Sequence, residues 1–317
     1  MYAYIVRRIL IGILVAFGVV TLVFFLLHIA PGDPISMLIP LETSGGVGTE
    51  IADQIRAKYG LDKPLLIQYV TYLERLVHLD FGRSINTRRP VASALIARYP
   101  ATLQLTFCSL LVAILIALPV GIISAVYQNS LLDNVTRVMA LIGVSLPSFW
   151  LGLLLMLLFS LKLGWLPASG HGGPLWTWEG LKHMVMPAVT LGTAVSGILM
   201  RLTRSSMLEV LGEDYLNTAR AKGLSERVVI YVHALKNALI PVITVLGLQF
   251  GGLLGGAVVV ETIFAWPGVG RYAIQGITGK DFPVVQGSVL AISLGFIIIN
   301  LVVDVIYSVI DPRITYD

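Results

Sequence analysis

The residues that most often carry chemistry are present in this sequence, but their spacing does not suit a metal site. Its five histidines are scattered over 317 residues, and no two of them lie four positions apart. The single cysteine, Cys108, lies inside a long apolar run. Zinc and related metals are bound by such side chains at short, regular spacing. We therefore expect no metal site in this chain.

Two glycine-rich runs and one pair of serines are the remaining candidates for chemistry. "SGGVGT" (44–49) lacks the lysine of a phosphate-binding loop, and "PGVGRYA" (267–273) lacks the third glycine of a dinucleotide fingerprint. Ser145 and Ser148 flank Pro147 in an apolar run without a histidine or an acid to activate them, which predicts a kinked helix. We expect the chain to bind no cofactor and not to be an enzyme.

The composition indicates a protein that lies in a membrane. Hydrophobic residues make up 56% of the chain and charged residues 13%, about half the charged fraction of a soluble domain. The mean hydropathy is +0.85. About 20 apolar residues suffice to cross a bilayer as a helix. The sequence thus predicts an all-α polytopic membrane protein with six transmembrane helices, at 9–30, 101–127, 134–160, 187–203, 238–260 and 285–309.

The basic residues of the short connections predict the orientation of these helices. Cytoplasmic connections carry the excess of lysine and arginine. Placing the N-terminus inside puts on the inner side Arg7, Arg8, Arg137, Arg201, Arg204, Arg220, Lys222, Arg227, Lys236 and Arg313. The short outer connections then hold only Lys162, Lys182, Arg271 and Lys280. We therefore expect both termini in the cytoplasm, and the pI of 9.2 reflects this bias rather than nucleic-acid binding.

The predicted spans contain almost no ionisable residue that could couple transport to an ion gradient. Asp304 is the exception, with Asn300 one turn before it. Asp304 could belong to an ion relay or could pair with a basic loop at a helix end, and we favour the pairing. An ion-driven secondary transporter is thus the weaker hypothesis.

The connection between the first two spans predicts a helical segment outside the membrane. Breakers after span one indicate a turn at 31–34, and residues 41–49 a flexible loop. Short helices are predicted at 50–60, 63–82 and 89–100. We divide the chain into residues 1–100, the first span plus this segment, and residues 101–317, the transmembrane core.

The most polar stretch of the chain, "EDYLNTARAKGLSERVVIYVHALKNALIP" (213–241), lies between spans four and five. Leu208, Leu211, Tyr215 and Thr218 or Ala219 would share one helical face. Gly223 would end this helix, and Ser225 would begin a second helix at 226–237. The pattern predicts a stiff cytoplasmic helix pair at 205–237 that another protein could hold.

Small residues recur at helical spacing in span five, and breakers follow that span. The small residues are Gly247, Gly251, Gly252, Gly255 and Gly256. This spacing allows close helix packing, either within the chain or against a second subunit, and both alternatives stay open. The apolar residues mixed with breakers at 261–271 predict a segment that dips back toward the protein interior.

The polar stretch between spans four and five, together with five motifs in order along the chain, resembles the sequences of one known family. The stretch "EDYLNTARAKGLSERVVIYVHALKNALIPVIT" resembles the cytoplasmic EAA loop of ATP-binding-cassette (ABC) importer permeases, in its peptide-importer form. "HIAPGDP", "DFGRS", "RLTRSSMLEVLGEDY", "ETIFAWPGVGR" and the ending "NLVVDVIYSVIDPRI" resemble the dipeptide/oligopeptide/nickel permease family. The distance from Gly223 to Pro241 is longer than in other importers, as is usual in the peptide branch. The resemblance covers nearly the whole chain.

The resemblance implies a permease subunit of the bacterial or archaeal cytoplasmic membrane that translocates short peptides. It implies as partners a second, similar permease chain, two ATPase subunits that bind ATP and Mg, and an extracytoplasmic substrate-binding protein. The chain resembles dipeptide and glutathione permeases about equally, so dipeptide, oligopeptide, glutathione and nickel remain open as cargo.

The resemblance also implies roles for two groups of residues. The coupling helix that docks on an ATPase would comprise Glu213, Asp214, Tyr215, Thr218, Ala219, Arg220, Ala221, Lys222 and Gly223. An outer gate or substrate contact would comprise Glu261, Phe264, Trp266, Pro267, Gly268 and Arg271.

Overall fold

The computed structural model describes residues 2–29, 53–54, 56–57, 60 and 62–310, and these are mostly helical. The helices are α1 Tyr2–Ile29, α2 Leu65–Val77, α3 Val91–Val126, α4 Leu131–Ser145, α5 Ser148–Lys162, α6 Trp178–Leu211, α7 Asp214–Ala221, α8 Glu226–Ile263, α9 Val269–Thr278 and α10 Phe282–Ile310. The predicted turn at 31–34, the loop at 41–49 and most of the helix at 50–60 lie outside the described residues.

Six segments of this helical chain match the six predicted spans. Five helices are long and apolar enough to cross a membrane, namely α1, α3, α6, α8 and α10. The sixth candidate is the pair α4 and α5, which meet at an angle of 103°. Pro147 lies at this break, where the residue before a proline avoids the helical region. The predicted all-α class and the kink at Pro147 are confirmed.

The prediction of a separate short helix at 89–100 is wrong. Its residues form the first turns of α3, which runs from Val91 to Val126 without a break at Pro100. A proline removes one helical hydrogen bond, and tertiary packing can compensate for that loss. Val91 and Leu95 are buried in a cluster with Val269 and Val284, which holds this part of the helix in place.

The described chain divides into two compact units. One comprises the residues up to Thr102 together with Pro267–Ile297, and the other comprises Leu103–Trp266 together with the residues from Ile298 onward. In the first unit, Phe24 of α1 stacks on Tyr72 of α2, with the ring centroids 5.7 Å apart. This contact fixes α2, the confirmed helix of the predicted outer segment, against the first span.

Buried Asp281 organises the loop that precedes α3 in the first unit. Its carboxylate accepts hydrogen bonds from the Ser84 hydroxyl at 2.5 Å and from the backbone N–H groups of Ile85 and Asn86, both at 3.2 Å. It also accepts a bond from the N–H of Val284 in the first turn of α10, at 3.4 Å. One side chain thus satisfies both a loop and a helix N-terminus.

The glycines of α8 divide between two environments. A Cβ atom at Gly247 would collide with Val303, and one at Gly256 would lie 3.7 Å from Leu191. A Cβ atom at Gly252 or Gly255 would meet no atom within 4 Å. Close packing within the chain therefore accounts for Gly247, whereas Gly252, Gly255 and Gly256 are exposed and a Cβ atom at each would meet at most an ordinary contact.

We predict that Gly192→Ala destabilises the chain and that Gly255→Ala does not. A Cβ atom at Gly192 on α6 would lie 2.5 Å from the Ser109 carbonyl oxygen, so α3 and α6 would have to separate. Overpacking of this kind costs about 1–3 kcal/mol, while alanine at an open helical position gains up to about 1 kcal/mol. Thermal unfolding of both purified variants in the same detergent measures the difference. Equal midpoints would contradict the close approach of α3 and α6.

Candidate functional site

The polar stretch that follows α6 begins with a turn rather than with a continuing helix. Helix α6 ends at Leu211, and the N–H of Gly212 bonds to the Glu209 carbonyl at 3.2 Å. Glu213 is extended, with φ −75° and ψ 141°, and begins α7. The prediction that residues 208–219 form one helical face is therefore wrong, because the turn resets the helical register.

Leu216 attaches α7 to the membrane helices. Its side chain is fully buried, whereas Tyr215 is 41% exposed. Leu216 packs in a cluster that also contains Ile122, Ala125, Met207, Val229, Ala234 and Ala238, with Leu208, Leu211 and Ala219 at its edge. Burying a leucine contributes about 2 kcal/mol. The sequence analysis missed Leu216, although it is the one aliphatic side chain larger than alanine between Gly212 and Gly223.

Gly223 ends α7 in the predicted way. Its φ of +80° is a left-handed conformation that favours glycine. The N–H of Gly223 bonds to the Arg220 carbonyl at 2.9 Å, and that of Leu224 bonds to the Ala219 carbonyl at 3.4 Å. This pair of bonds is the Schellman motif, which satisfies the last carbonyl groups of a helix. The predicted C-cap is confirmed.

Polar contacts connect α7 to the beginning of α8. Arg220 Nε donates to Glu226 Oε1 at 2.8 Å, and Arg220 Nη1 donates to Asn217 Oδ1 at 3.2 Å. The amide of Asn237 donates to the Tyr215 hydroxyl at 2.8 Å. These groups are exposed, so each contact contributes little stability, about 0–1 kcal/mol. Together they orient α7 and α8 as a pair.

The remaining predicted docking residues form an exposed surface on this anchored helix. They are Glu213, Asp214, Thr218, Ala221, Lys222 and Gly223. The acidic residues lie at the start of α7 and Lys222 at its end, which suits the helix dipole. A short, capped helix with one buried anchor and a charged outer face can present a fixed surface to another protein.

A buried ion pair joins three helices of the same unit. Arg204 on α6 donates from Nε to Asp133 Oδ1 at 2.7 Å and from Nη2 to Oδ2 at 2.8 Å. Asp133 on α4 is fully buried and also accepts from the Ser124 hydroxyl of α3 at 2.6 Å and from the Asn129 N–H at 2.9 Å. The distribution of basic residues predicted an inner position for Arg204, but its pairing with Asp133 was not predicted. The available signal was "SLLD", since Ser130 caps α4 and accepts from the Asp133 N–H.

The second predicted site, at 261–271, is a mostly buried helix break. Helix α8 ends at Ile263, and Glu261, Phe264 and Trp266 are buried. The Phe264 carbonyl accepts from the Gly170 N–H at 2.8 Å, and the Trp266 ring lies 4.6 Å from the His171 ring. Burial lowers the pKa of the His171 imidazole, and repulsion from His183 lowers it further. These contacts cover the irregular backbone, as a break in a membrane helix requires.

The rest of this segment begins the next helix. Pro267 is exposed, Gly268 is buried and Arg271 is half-buried. The N–H of Val269, at the start of α9, donates to the Thr102 hydroxyl at 2.9 Å. Among the described residues, no group of three or more His, Cys, Asp or Glu side chains is placed to hold a metal ion.

Two family models match the chain. The model of the binding-protein-dependent transport system inner membrane component matches residues 117–316. The model of the N-terminal part of such membrane components matches residues 1–106. Together they cover both the outer segment and the transmembrane core.

Characterised relatives match over their full length. The dipeptide transport system permease protein DppB of Alkalihalophilus pseudofirmus is 43% identical, with all of both chains covered. The glutathione transport system permease protein GsiC of Escherichia coli K12 is 44% identical, again with all of both chains covered.

Two solved structures share the fold. An inward-facing MetNI methionine ABC transporter chain matches with a TM-score of 0.57 and 18% identity, covering 69% of this chain and 97% of its own length. A chain of an amino acid ABC transporter crystallised with histidines matches with a TM-score of 0.51 and 17% identity, covering 70% of this chain and 95% of its own. At these identities the likeness shows the fold alone.

We predict that Leu216→Ala releases α7 from the membrane helices. Removing a fully buried leucine leaves a cavity and costs about 2–5 kcal/mol. Protease cleavage between Glu213 and Ser225 in the purified, detergent-solubilised chain should therefore become faster. Leu224→Ala is the matched control, because that side chain is 39% exposed and should change cleavage little. Equal cleavage of the two variants would show that Leu216 is not the anchor.

Proposed function

Because the chain belongs to the family of binding-protein-dependent transport system inner membrane components, we propose that it is the permease subunit of an ABC importer for short peptides. The observation that carries the proposal is the anchored helix α7, which presents a charged surface outside the spans. The full-length likeness to a dipeptide permease and to a glutathione permease supports a small peptide as the cargo, with glutathione as the alternative.

Helix α7 is the element through which ATP hydrolysis in a separate subunit would act. The surface formed by Glu213, Asp214, Thr218, Ala221 and Lys222 docks in a groove of the ATPase. When two ATPase subunits close on ATP, they draw α7 with them. Because the Leu216 cluster includes residues of α3, α6 and α8, these helices move with α7 as one body. Their movement changes the side from which the pathway is open.

The other partners occupy the remaining surfaces of the chain. A second permease chain completes the pathway, and the exposed small residues Gly252 and Gly255 on α8 suit a close contact with it. A substrate-binding protein delivers the peptide at the outer side of the bacterial cytoplasmic membrane. Both chain termini lie in the cytoplasm, as the distribution of basic residues indicates. The break at 264–268 lies near the outer opening as a gate.

Uptake measurements in cells test this function. We expect deletion of the gene to abolish uptake of one labelled cargo among a dipeptide, a longer peptide, glutathione and nickel. Re-expression of the chain should restore it, and depletion of ATP should abolish it. Uptake that continues without ATP but stops when the proton gradient is collapsed would instead identify a secondary transporter.

We predict that Gly223→Asp uncouples ATP hydrolysis from uptake while the chain still inserts and assembles. The substitution strains a backbone with φ +80° and places a charge at the end of the docking surface. Gly164→Asp is the matched control, since Gly164 also has a positive φ, of +65°, and open space around its Cβ position.

The two variants separate docking from backbone strain. Each substitution lowers the stability of the chain by about 1–2 kcal/mol, because aspartate is less favourable than glycine in the left-handed conformation. Gly164, however, lies outside the docking surface. The rates of ATP hydrolysis by the reconstituted complex and of peptide uptake into the same vesicles are measured for each variant. The coupling ratio is the number of peptides taken up per ATP hydrolysed. Normal uptake by Gly223→Asp, or equal loss in both variants, would exclude α7 as the coupling element.

A further inference from the structure

A groove of about 380 Å³ lies between α4 and α6, and the function proposed above does not use it. Its wall is apolar, and one end is basic. The apolar part is formed by Ala140, Leu141, Val144, Gly197 and Met200. The polar end is formed by Ser124, Thr136, Arg137, Arg201, Arg204 and Ser205.

The chain cannot close this groove by moving α4 and α6 together. A Cβ atom at Gly197 on α6 would lie only 2.6 Å from the Ala140 carbonyl oxygen on α4. The two backbones are therefore already in contact at the groove, as small residues allow in membranes. The open volume beside this contact can be filled only from outside the pair of helices.

The basic end has more positive charge than the chain neutralises. Arg204 directs Nε and Nη2 at Asp133, the one carboxylate among the described residues that pairs with an arginine of the groove. The Arg137 Nε lies 3.7 Å from the same carboxylate, and the Arg137 side chain is 51% exposed and also donates to Asn134. Arg201 is exposed, and no ion pair or hydrogen bond of its guanidinium occurs within the described residues. Three arginines around one carboxylate leave a net charge of +2.

These features favour a ligand that has an anionic group at one end and an apolar part at the other. Guanidinium groups bind phosphate oxygens with two parallel hydrogen bonds, and the exposed Ser205 hydroxyl lies at the same end of the groove. The apolar wall extends from the arginines along α4 and α6 toward Val144 and Gly197, into the membrane-spanning part of both helices. A free anion would leave that wall uncovered, whereas an acyl chain would cover it.

We propose that this groove binds an anionic phospholipid, with its phosphate at Arg137 and Arg201 and the beginning of an acyl chain against Leu141, Val144 and Met200. Basic pockets between membrane helices at a membrane surface suit such headgroups. The groove lies beside the end of α6 that leads through Gly212 into α7. A bound lipid therefore contacts the same helices that hold the Asp133–Arg204 pair.

Native mass spectrometry of the purified permease complex tests the site. The complex is stripped of lipid and titrated with phosphatidylglycerol or with phosphatidylcholine of the same acyl chains. We expect tighter binding of phosphatidylglycerol, and a loss of about fivefold in Arg201→Gln, since one basic residue contributes about 1 kcal/mol to binding an anionic lipid. Arg227→Gln is the matched control, because Arg227 is also exposed but does not line the groove.

A second variant separates a lipid from a free anion. Val144→Trp fills the apolar part of the groove without changing its charge, and Val144 is exposed enough to accept the larger ring. We expect it to weaken phosphatidylglycerol binding and to leave the thermal midpoint of the complex unchanged. Binding of inorganic phosphate that is lost in Arg201→Gln but kept in Val144→Trp would show a free-anion site and overturn the proposal.

Two further results would also overturn it. Equal weakening of phosphatidylglycerol binding by Arg201→Gln and Arg227→Gln would show that the lipid responds to the general surface charge and not to this groove. Loss of partner subunits from the Arg201→Gln complex, without a change in bound lipid, would assign the groove to a protein contact. Neither result depends on peptide uptake, so failure of this site would leave the proposed transport function untouched.

Discussion

The buried pair of Asp133 and Arg204 is the interaction on which the packing of α3, α4 and α6 depends. Two charges that leave water cost several kcal/mol each, and close, bidentate geometry with further hydrogen bonds must offset that cost. Both carboxylate oxygens of Asp133 are used, and the donors come from α3, from the turn before α4 and from α6. Three helix ends are therefore held at fixed distances before α7 begins.

Because these helix ends are held at fixed distances, the Leu216 cluster can hold α7 in a defined position. A single leucine could not position an eight-residue helix if the helices beneath it moved independently. Because α3 and α6 contribute both to the ion pair and to the cluster around Leu216, the anchor of α7 rests on a rigid surface. The helix can then transmit a displacement, rather than absorb it by local rearrangement.

The sequence predicted those features that follow from local pattern. The length of the apolar runs predicted the spans, Pro147 predicted the bend between α4 and α5, and Gly223 predicted the end of α7. Each of these features depends on residues that are close together in the chain. It failed where contacts between distant residues decide. Packing of Val91 and Leu95 keeps α3 helical through Pro100. Because of the turn at Gly212, Leu216 rather than Tyr215 is the buried residue of α7. Arg204 pairs with Asp133, which lies 71 positions earlier in the chain. The local pattern of a single sequence can indicate where α4 begins, as Ser130 does, but not that Asp133 pairs with Arg204.

The separation between the buried and exposed faces of α7 also bears on how such a transporter can change over time. Leu216 is fully buried in the cluster that holds the helix, whereas Asp214, Thr218 and Lys222 are exposed. The surface that we propose as the contact for an ATPase can thus diverge while the permease remains stable. A duplicated copy of this chain could acquire its own ATPase by exchanging a few side chains on one helix, with no change in the membrane scaffold.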